Sequence, residues 1–301
     1  MIKYKTKGLF NGIIASVSYG TNPLFALPMY NLGMGVNSVL FYRYFFAVII
    51  YGIWLKYVKK ISFRITVKEF FALFLLAILF ALSSVTLFES FKYIPSGIAC
   101  TLLFIYPALV AVISTVFFKE KFTKTMLFSM LIALSGVFIL NGGIHGQLNK
   151  TGIIYVFLSA LVYAIYIVLV KNFAPIKHIK YDKLSFYVML LGLCVFIWNL
   201  KFCTVLEPLN SWKLVFCSLG LALFPTIISL ETVNIAIKLI GSTTTAILGV
   251  LEPLTALFIG TVFFNEVLNF YKILGIILIF SGISLIILHD KLKGIINERK
   301  S

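Results

Sequence analysis

The feature that most constrains this chain is a recurrence of apolar runs separated by short polar or turn-forming breaks. Each run is close to the length of about 20 residues that a helix needs to cross a hydrocarbon core of about 30 Å. Hydrophobic residues make up 61% of the sequence and charged residues only 12%, against about 25% charged in an average soluble domain. Mean hydropathy is +1.05. A soluble fold has no interior that could hide so much apolar surface, so the bilayer is the solvent. The runs predict an all-α membrane protein with ten transmembrane helices near 8–30, 36–55, 69–91, 96–118, 124–141, 152–171, 183–202, 213–237, 242–264 and 270–289. Lys3, Lys5 and Lys7 ahead of the first run imitate a signal peptide. That run continues through Asn22 and Pro23 to Tyr30 without a small-x-small cleavage site, so it is kept as the first span.

The formal net charge of +16 would suggest an acidic partner in a soluble protein. Its placement says otherwise. Of the 26 basic residues, Arg43 falls inside the second span, and Lys92, Lys150, Lys201, Lys213 and Lys272 fall on one set of alternating loops. All the others lie on the opposite set, together with both termini. The positive-inside rule therefore predicts cytoplasmic termini, and anionic lipid on one leaflet suffices as the partner of that charge, with no call for nucleic acid. Trp54, Trp198 and Trp212 stand at span ends, as interfacial indoles do. Cys100, Cys194, Cys203 and Cys217 form no CxxC pair or metal cluster and read as small packing residues.

The sequence also repeats itself. At an offset of 146, Ser96 to Asn141 realigns with Ser242 to Ile287: Pro107 meets Pro253, Thr115-Val116-Phe117-Phe118 meets Thr261-Val262-Phe263-Phe264, Glu120 meets Glu266, and Ser135-Gly136 meets Ser281-Gly282. At an offset of 144, Gly8 and Tyr19 meet Gly152 and Tyr163. Two halves, 1–145 and 146–301, each hold five spans. An odd number of spans puts the second half into the membrane upside down. Inverted halves are how many secondary transporters obtain two conformations of similar energy around a midplane site.

With these residues in view, the chain resembles the drug/metabolite transporter superfamily, specifically its EamA-type ten-helix members. The carriers are the twin elements Pro107 to Glu120 and Pro253 to Glu266, each followed by an apolar helix with Ser-Gly, and the Arg43-Tyr44-Phe45-Phe46-Ala47 element. The resemblance implies two inverted five-helix repeats around a central cavity. It also implies a multi-pass protein of a bacterial-type cytoplasmic (inner) membrane, functional as a monomer, whose activities include export of amino acids or other metabolites. It leaves the solute open.

Ionisable groups inside a membrane cost at least about 2.5 to 3.5 kcal/mol each on insertion scales and are functional candidates by default. Four stand out: Arg43, Glu89, Glu231 and Glu252. Arg43 cannot neutralise itself and calls for a paired carboxylate or a substrate carboxylate; a fixed Arg–Glu pair that only locks helices together competes with a binding role. Glu231 or Glu252 is a candidate carrier of a coupling proton. Pro23, Pro107, Pro225 and Pro253 free backbone carbonyls within spans and mark bends or gates, against a passive kink. Tyr19, Thr21, Asn22, Thr101, Tyr106, Tyr163, Tyr166 and Thr243 to Thr245 offer polar tips to a solute pathway or to ordinary interhelical contacts. Glu120 and Glu266, at helix ends, are expected to cap or to make gate-side contacts with loop amides. Ser129, Ala133 and Gly136, with Gly275 and Gly282, form small-residue stripes suited to a close scaffold pairing.

An intramembrane enzyme is disfavoured. His145, His178 and His289 lie in loops or at a span end, and Asp182 and Asp290 at boundaries, which leaves no aspartyl pair, Ser-His dyad or metal site in the membrane, and no cofactor. A phosphorylated-metabolite permease would want several cavity cations, and Arg43 stands alone. A drug or nucleoside permease of the same superfamily stays open beside the amino-acid reading.

Overall fold

In the computed structural model, the described residues are 2–94, 96–120, 123–140, 149–263 and 270–298. Among them the secondary structure is helical throughout, with no strand. The helices are α1 (Ile2–Tyr19), α2 (Asn22–Asn31), α3 (Val36–Tyr57), α4 (Val67–Ser90), α5 (Ser96–Leu103), α6 (Tyr106–Phe118), α7 (Lys124–Leu140), α8 (Lys150–Asn172), α9 (Tyr181–Asn199), α10 (Trp212–Ala222), α11 (Ser229–Ile240), α12 (Ser242–Leu248), α13 (Leu251–Phe263) and α14 (Phe270–Glu298). A π-helical turn, Leu223–Ile228, joins α10 to α11. Six helical stretches are long and apolar enough to cross a membrane: Val36–Tyr57, Val67–Ser90, Lys150–Asn172, Tyr181–Asn199, Trp212–Ile240 and Ser242–Phe263. Tyr106–Phe118, Lys124–Ile139 and Phe270–Leu285 are shorter apolar helices.

Three runs expected as single helices are interrupted. The run 8–30 breaks at Gly20 and Thr21, where Pro23 enters α2 in its first turn and Asn22 Nδ2 donates back to the Tyr19 carbonyl at 2.9 Å. The run 96–118 breaks at Phe104 and Ile105, just ahead of Pro107, and the run 242–264 breaks at Gly249 and Val250, just ahead of Pro253. In each case a proline that cannot donate to the preceding turn opens the following helix, a position it tolerates well. The fourth irregularity is the π turn around Pro225. Residue Glu266 and the side chains of Thr101, His145, His289 and Asp290 lie outside the described residues.

The principal helix contacts run between the two halves of the chain. Helix α1 packs on α11, α4 on α8 and α9, α3 on α9 and α10, α6 on α8 and α12, and α7 on α14. The last pair is built on the small-residue stripes. A Cβ on Gly136 would sit 2.9 Å from the Gly275 carbonyl oxygen and from Ile279, and one on Gly282 would sit 2.8 Å from the Ser129 carbonyl oxygen. The backbones are thus too close for any larger residue. Replacing Gly136 by Ala is expected to destabilise the fold by about 1–3 kcal/mol. Leu131→Ala, on the exposed side of α7, should leave the thermal midpoint in detergent nearly unchanged; equal midpoints for the two variants would refute the close pairing.

Candidate functional site

The broken helices converge. Glu252 occupies the first turn of α13 beside Pro253, and Tyr106 occupies the first turn of α6 beside Pro107. Under the offset of 146 the two positions are mates, so the acid of one half stands where the other half carries a phenol. Two glycines allow the approach. A Cβ at Gly20 would come within 2.5 Å of the Glu252 carbonyl oxygen, and one at Gly249 would come within 1.6 Å of the Tyr106 hydroxyl. The Tyr106 hydroxyl donates to the Ala246 carbonyl at 3.3 Å, and its ring meets Tyr163 edge-on at 5.0 Å between centroids.

Glu252 borders two cavities. The larger, with about 590 Å³ of empty space, is lined by Tyr19, Asn22, Pro23, Phe88, Cys100, Phe104 and Pro253 among others, and extends toward the face where α2 and α4 end. The smaller, about 240 Å³, is lined by Ser16, Tyr106, Tyr163, Ser229 and Thr245 and extends the opposite way. Among the described residues no side chain hydrogen-bonds or ion-pairs with the Glu252 carboxylate.

Arg43 lies behind this site with no exposure. The expected carboxylate partner is not there: among the described residues none lies within ion-pair distance of its guanidinium. Its Nε donates to Thr226 Oγ1 at 2.6 Å, one Nη to the Pro225 carbonyl at 2.9 Å, and the other to Asn22 Oδ1 at 3.3 Å. The rings of Tyr19, Tyr44 and Phe88 lie 5.7, 5.9 and 6.0 Å from its Cζ, a cation–π arrangement. The socket originates in the proline. Pro225 has no N–H, so the Leu221 carbonyl one turn back loses its helical donor, and Thr226 Oγ1 supplies a replacement at 2.7 Å while accepting from Arg43. Dipoles and ring faces thus do the work that a carboxylate was expected to do.

The other candidate acids stand elsewhere. Glu89 pairs with Lys92 at 2.6 Å, near the end of its helix. Glu231 shares Lys59 with Asp182, at 3.0 and 2.8 Å, in a cluster that joins the end of α3 to α9 and α11. Neither lines the cavities at Glu252. Glu120 accepts from Asn172 Nδ2 at 3.0 Å and from Ser242 Oγ at 3.0 and 3.1 Å, and Ser242 also meets Ser114 at 2.9 Å. These bonds tie the ends of α6 and α8 to the start of α12, on the same face as the Lys59 cluster. Between that face and the centre, Tyr166 donates to Asn234 at 2.8 Å and Asn234 to Ser185 at 2.9 Å. Sequence reasoning missed Thr226, Asn234 and Lys59; only Thr226 carried a signal, as the hydroxyl residue that follows a mid-span proline.

A model of the EamA-like transporter family matches residues 6–142 and again residues 150–288. The chain belongs to the EamA-like transporter family. Relatives of this family member include an uncharacterized transporter of Bacillus subtilis (strain 168), 27% identical over 67% of this chain and 64% of that protein. Another uncharacterized transporter, from Archaeoglobus fulgidus, is 26% identical over 90% of this chain and 93% of its own length. The match thus spans just under two thirds of the Bacillus relative and nearly all of the archaeal one. A solved crystal structure superposes with a TM-score of 0.77 over 95% of this chain and 99% of that one, at 17% identity, which establishes a shared fold.

Two consequences can be measured. Thr226→Val should strand a buried guanidinium N–H and the Leu221 carbonyl, for a loss of about 3 kcal/mol in thermal or denaturant unfolding; Thr226→Ser should recover most of it. Burial works against the Lys59 ammonium, but its hydrogen bonds to Asp182 and Glu231 outweigh that and hold it above the ordinary lysine value. A raised cationic group stabilises fully below its unfolded value and loses that contribution as pH rises through the folded one. Lys59→Met should therefore lower the melting temperature at pH 8, with the difference from wild type narrowing only on the alkaline side of the lysine range.

Proposed function

We propose that this membrane transporter is a secondary transporter that moves a small organic solute by alternating access, with Glu252 at its centre and a proton as the coupling ion. The observation that carries the reading is one carboxylate, free of protein partners among the described residues, at a helix break between two cavities that extend toward opposite faces. A group so placed meets a solute from either side.

The reading includes ten spans in two inverted repeats, 1–145 and 146–301, with cytoplasmic termini. The double match of one family model supports it. So does the packing, in which contacts have counterparts when the halves are exchanged: α1 on α11 answers α8 on α4, and α4 on α9 answers α10 on α3. With the basic loops inside, the Glu120–Ser242 and Lys59 clusters tie the cytoplasmic face, and the larger cavity reaches outward. That is an outward-facing state, and the inward-facing state requires those clusters to part. Export of an amino acid or comparable metabolite is what the family resemblance suggests. A phosphorylated solute is disfavoured because, among the described residues, no lysine or arginine lines either cavity.

Flux in proteoliposomes, over a panel of amino acids, nucleosides and organic cations with and without a pH gradient, tests the proposal. Solute movement that responds to the gradient and is lost in Glu252→Gln is expected. Absence of flux for every solute would overturn the transport reading, and flux indifferent to the gradient would overturn proton coupling.

A further inference from the structure

The chemistry of the larger cavity selects a class of solute. Its walls are apolar and aromatic, with Leu27, Leu87, Phe88, Phe91, Leu103 and Phe104 around the volume of about 590 Å³. Among the described residues its titratable lining groups are Glu252, Tyr19 and Cys100. On the other side Glu252 faces Tyr106 and Tyr163.

The nearest cation is sealed off. Arg43 does not line the cavity, has no exposure, and is bound by Thr226, Pro225 and Asn22. Tyr19 and Phe88, which do line the cavity, lie across its guanidinium. A solute carboxylate would have to displace Tyr19 or Asn22 to reach it. A solute cation meets a carboxylate without a partner among the described residues, in a cavity whose lining includes Tyr19, Phe88 and Phe104.

We infer that the cavity takes apolar organic cations, an ammonium on an aromatic or aliphatic body without a free carboxylate, held by Glu252 and by the faces of Tyr19, Phe88 and Phe104. Ring faces attract quaternary ammonium groups through their quadrupoles, and among the described lining residues Glu252 is the one carboxyl group. This rests on the transport reading of the same cavity and narrows it. Amino acids, as zwitterions, would bring their carboxylate against a mostly apolar wall whose described lining offers it no lysine or arginine and only the Tyr19 and Asn22 side chains as strong donors, a poor exchange for the water it leaves behind.

Cys100 provides a probe inside the cavity that does not depend on transport. In purified protein carrying Cys194→Ala, Cys203→Ala and Cys217→Ala, the rate of Cys100 modification by methyl methanethiosulfonate is measured with three compounds that share a phenyl ring and a two-carbon arm. These are 2-phenylethyltrimethylammonium, phenylalanine and 3-phenylpropionate. The cation should slow modification about tenfold at ten times its dissociation constant, and Glu252→Gln should abolish that protection. The zwitterion and the anion should not protect. Protection by phenylalanine or phenylpropionate equal to that by the cation, or no protection by the cation, would overturn the inference. The same compounds in proteoliposomes separate the two claims. Flux of phenylalanine without flux of the cation refutes the solute class and leaves transport standing, whereas cation-selective protection without any flux refutes transport and leaves the class standing.

Discussion

The interior of this protein is organised around a guanidinium that has no exposure and no carboxylate partner among the described residues. A charge in that position is tolerable only where fixed dipoles replace water on its donors, because the Born cost of an isolated ion in an apolar medium runs to tens of kcal/mol. Here the dipoles come from two helix irregularities. Asn22 is offered by the break in the first span, and the Pro225 carbonyl and the Thr226 hydroxyl by a π turn in α10–α11. Broken helices are thus the condition for holding Arg43, and Arg43 in turn fixes the relation of α2, α3 and the π turn.

Holding Arg43 with dipoles leaves Glu252 unengaged. Had the two paired, one of the alternatives the sequence left open, both charges would have been spent on structure. Instead the arginine is walled off by Tyr19, Tyr44 and Phe88, and the acid faces open volume on both sides. The polar groups beneath it are committed to one another: Tyr166 to Asn234, Asn234 to Ser185, Glu120 to Ser242. Every such bond satisfies a group that would be costly to bury alone, and together they concentrate strong contacts at one face while the other keeps an apolar cavity.

Much of this was legible in the sequence, and the limits of what was legible are physical. Apolar runs and loop charges report the solvent of each residue, so the membrane class and the approximate helix ranges could be read directly. Pro23, Pro107, Pro225 and Pro253 announced irregular backbone, and each does lie at a break or a π turn. Glu252 was readable as a candidate because a mid-span acid is rare. Its isolation was not readable, because the choice of partner depends on which side chains meet across helices far apart in sequence. Glu89, near the outer end of its run, and Glu231, in the inner half of its own, were candidates beside the more central Glu252, and Lys92 and Lys59 reach them. The substitution of hydroxyl and carbonyl for carboxylate around Arg43 depended on a carbonyl freed one turn before Pro225, a vacancy with no signature beyond the proline itself.

Consider finally the order in which the chain is made. Arg43 is synthesised some 180 residues before Thr226, the acceptor of its shortest hydrogen bond, and the principal packing partners of the early helices are all later ones. Until the second half is made, that arginine has Asn22 and the rings of Tyr19, Tyr44 and Phe88 within reach but neither of its two acceptors at the π turn. The acceptors of two of its three hydrogen bonds, Pro225 and Thr226, are thus the last parts of the Arg43 socket to be made, and a chain ending before them would leave those donors unsatisfied.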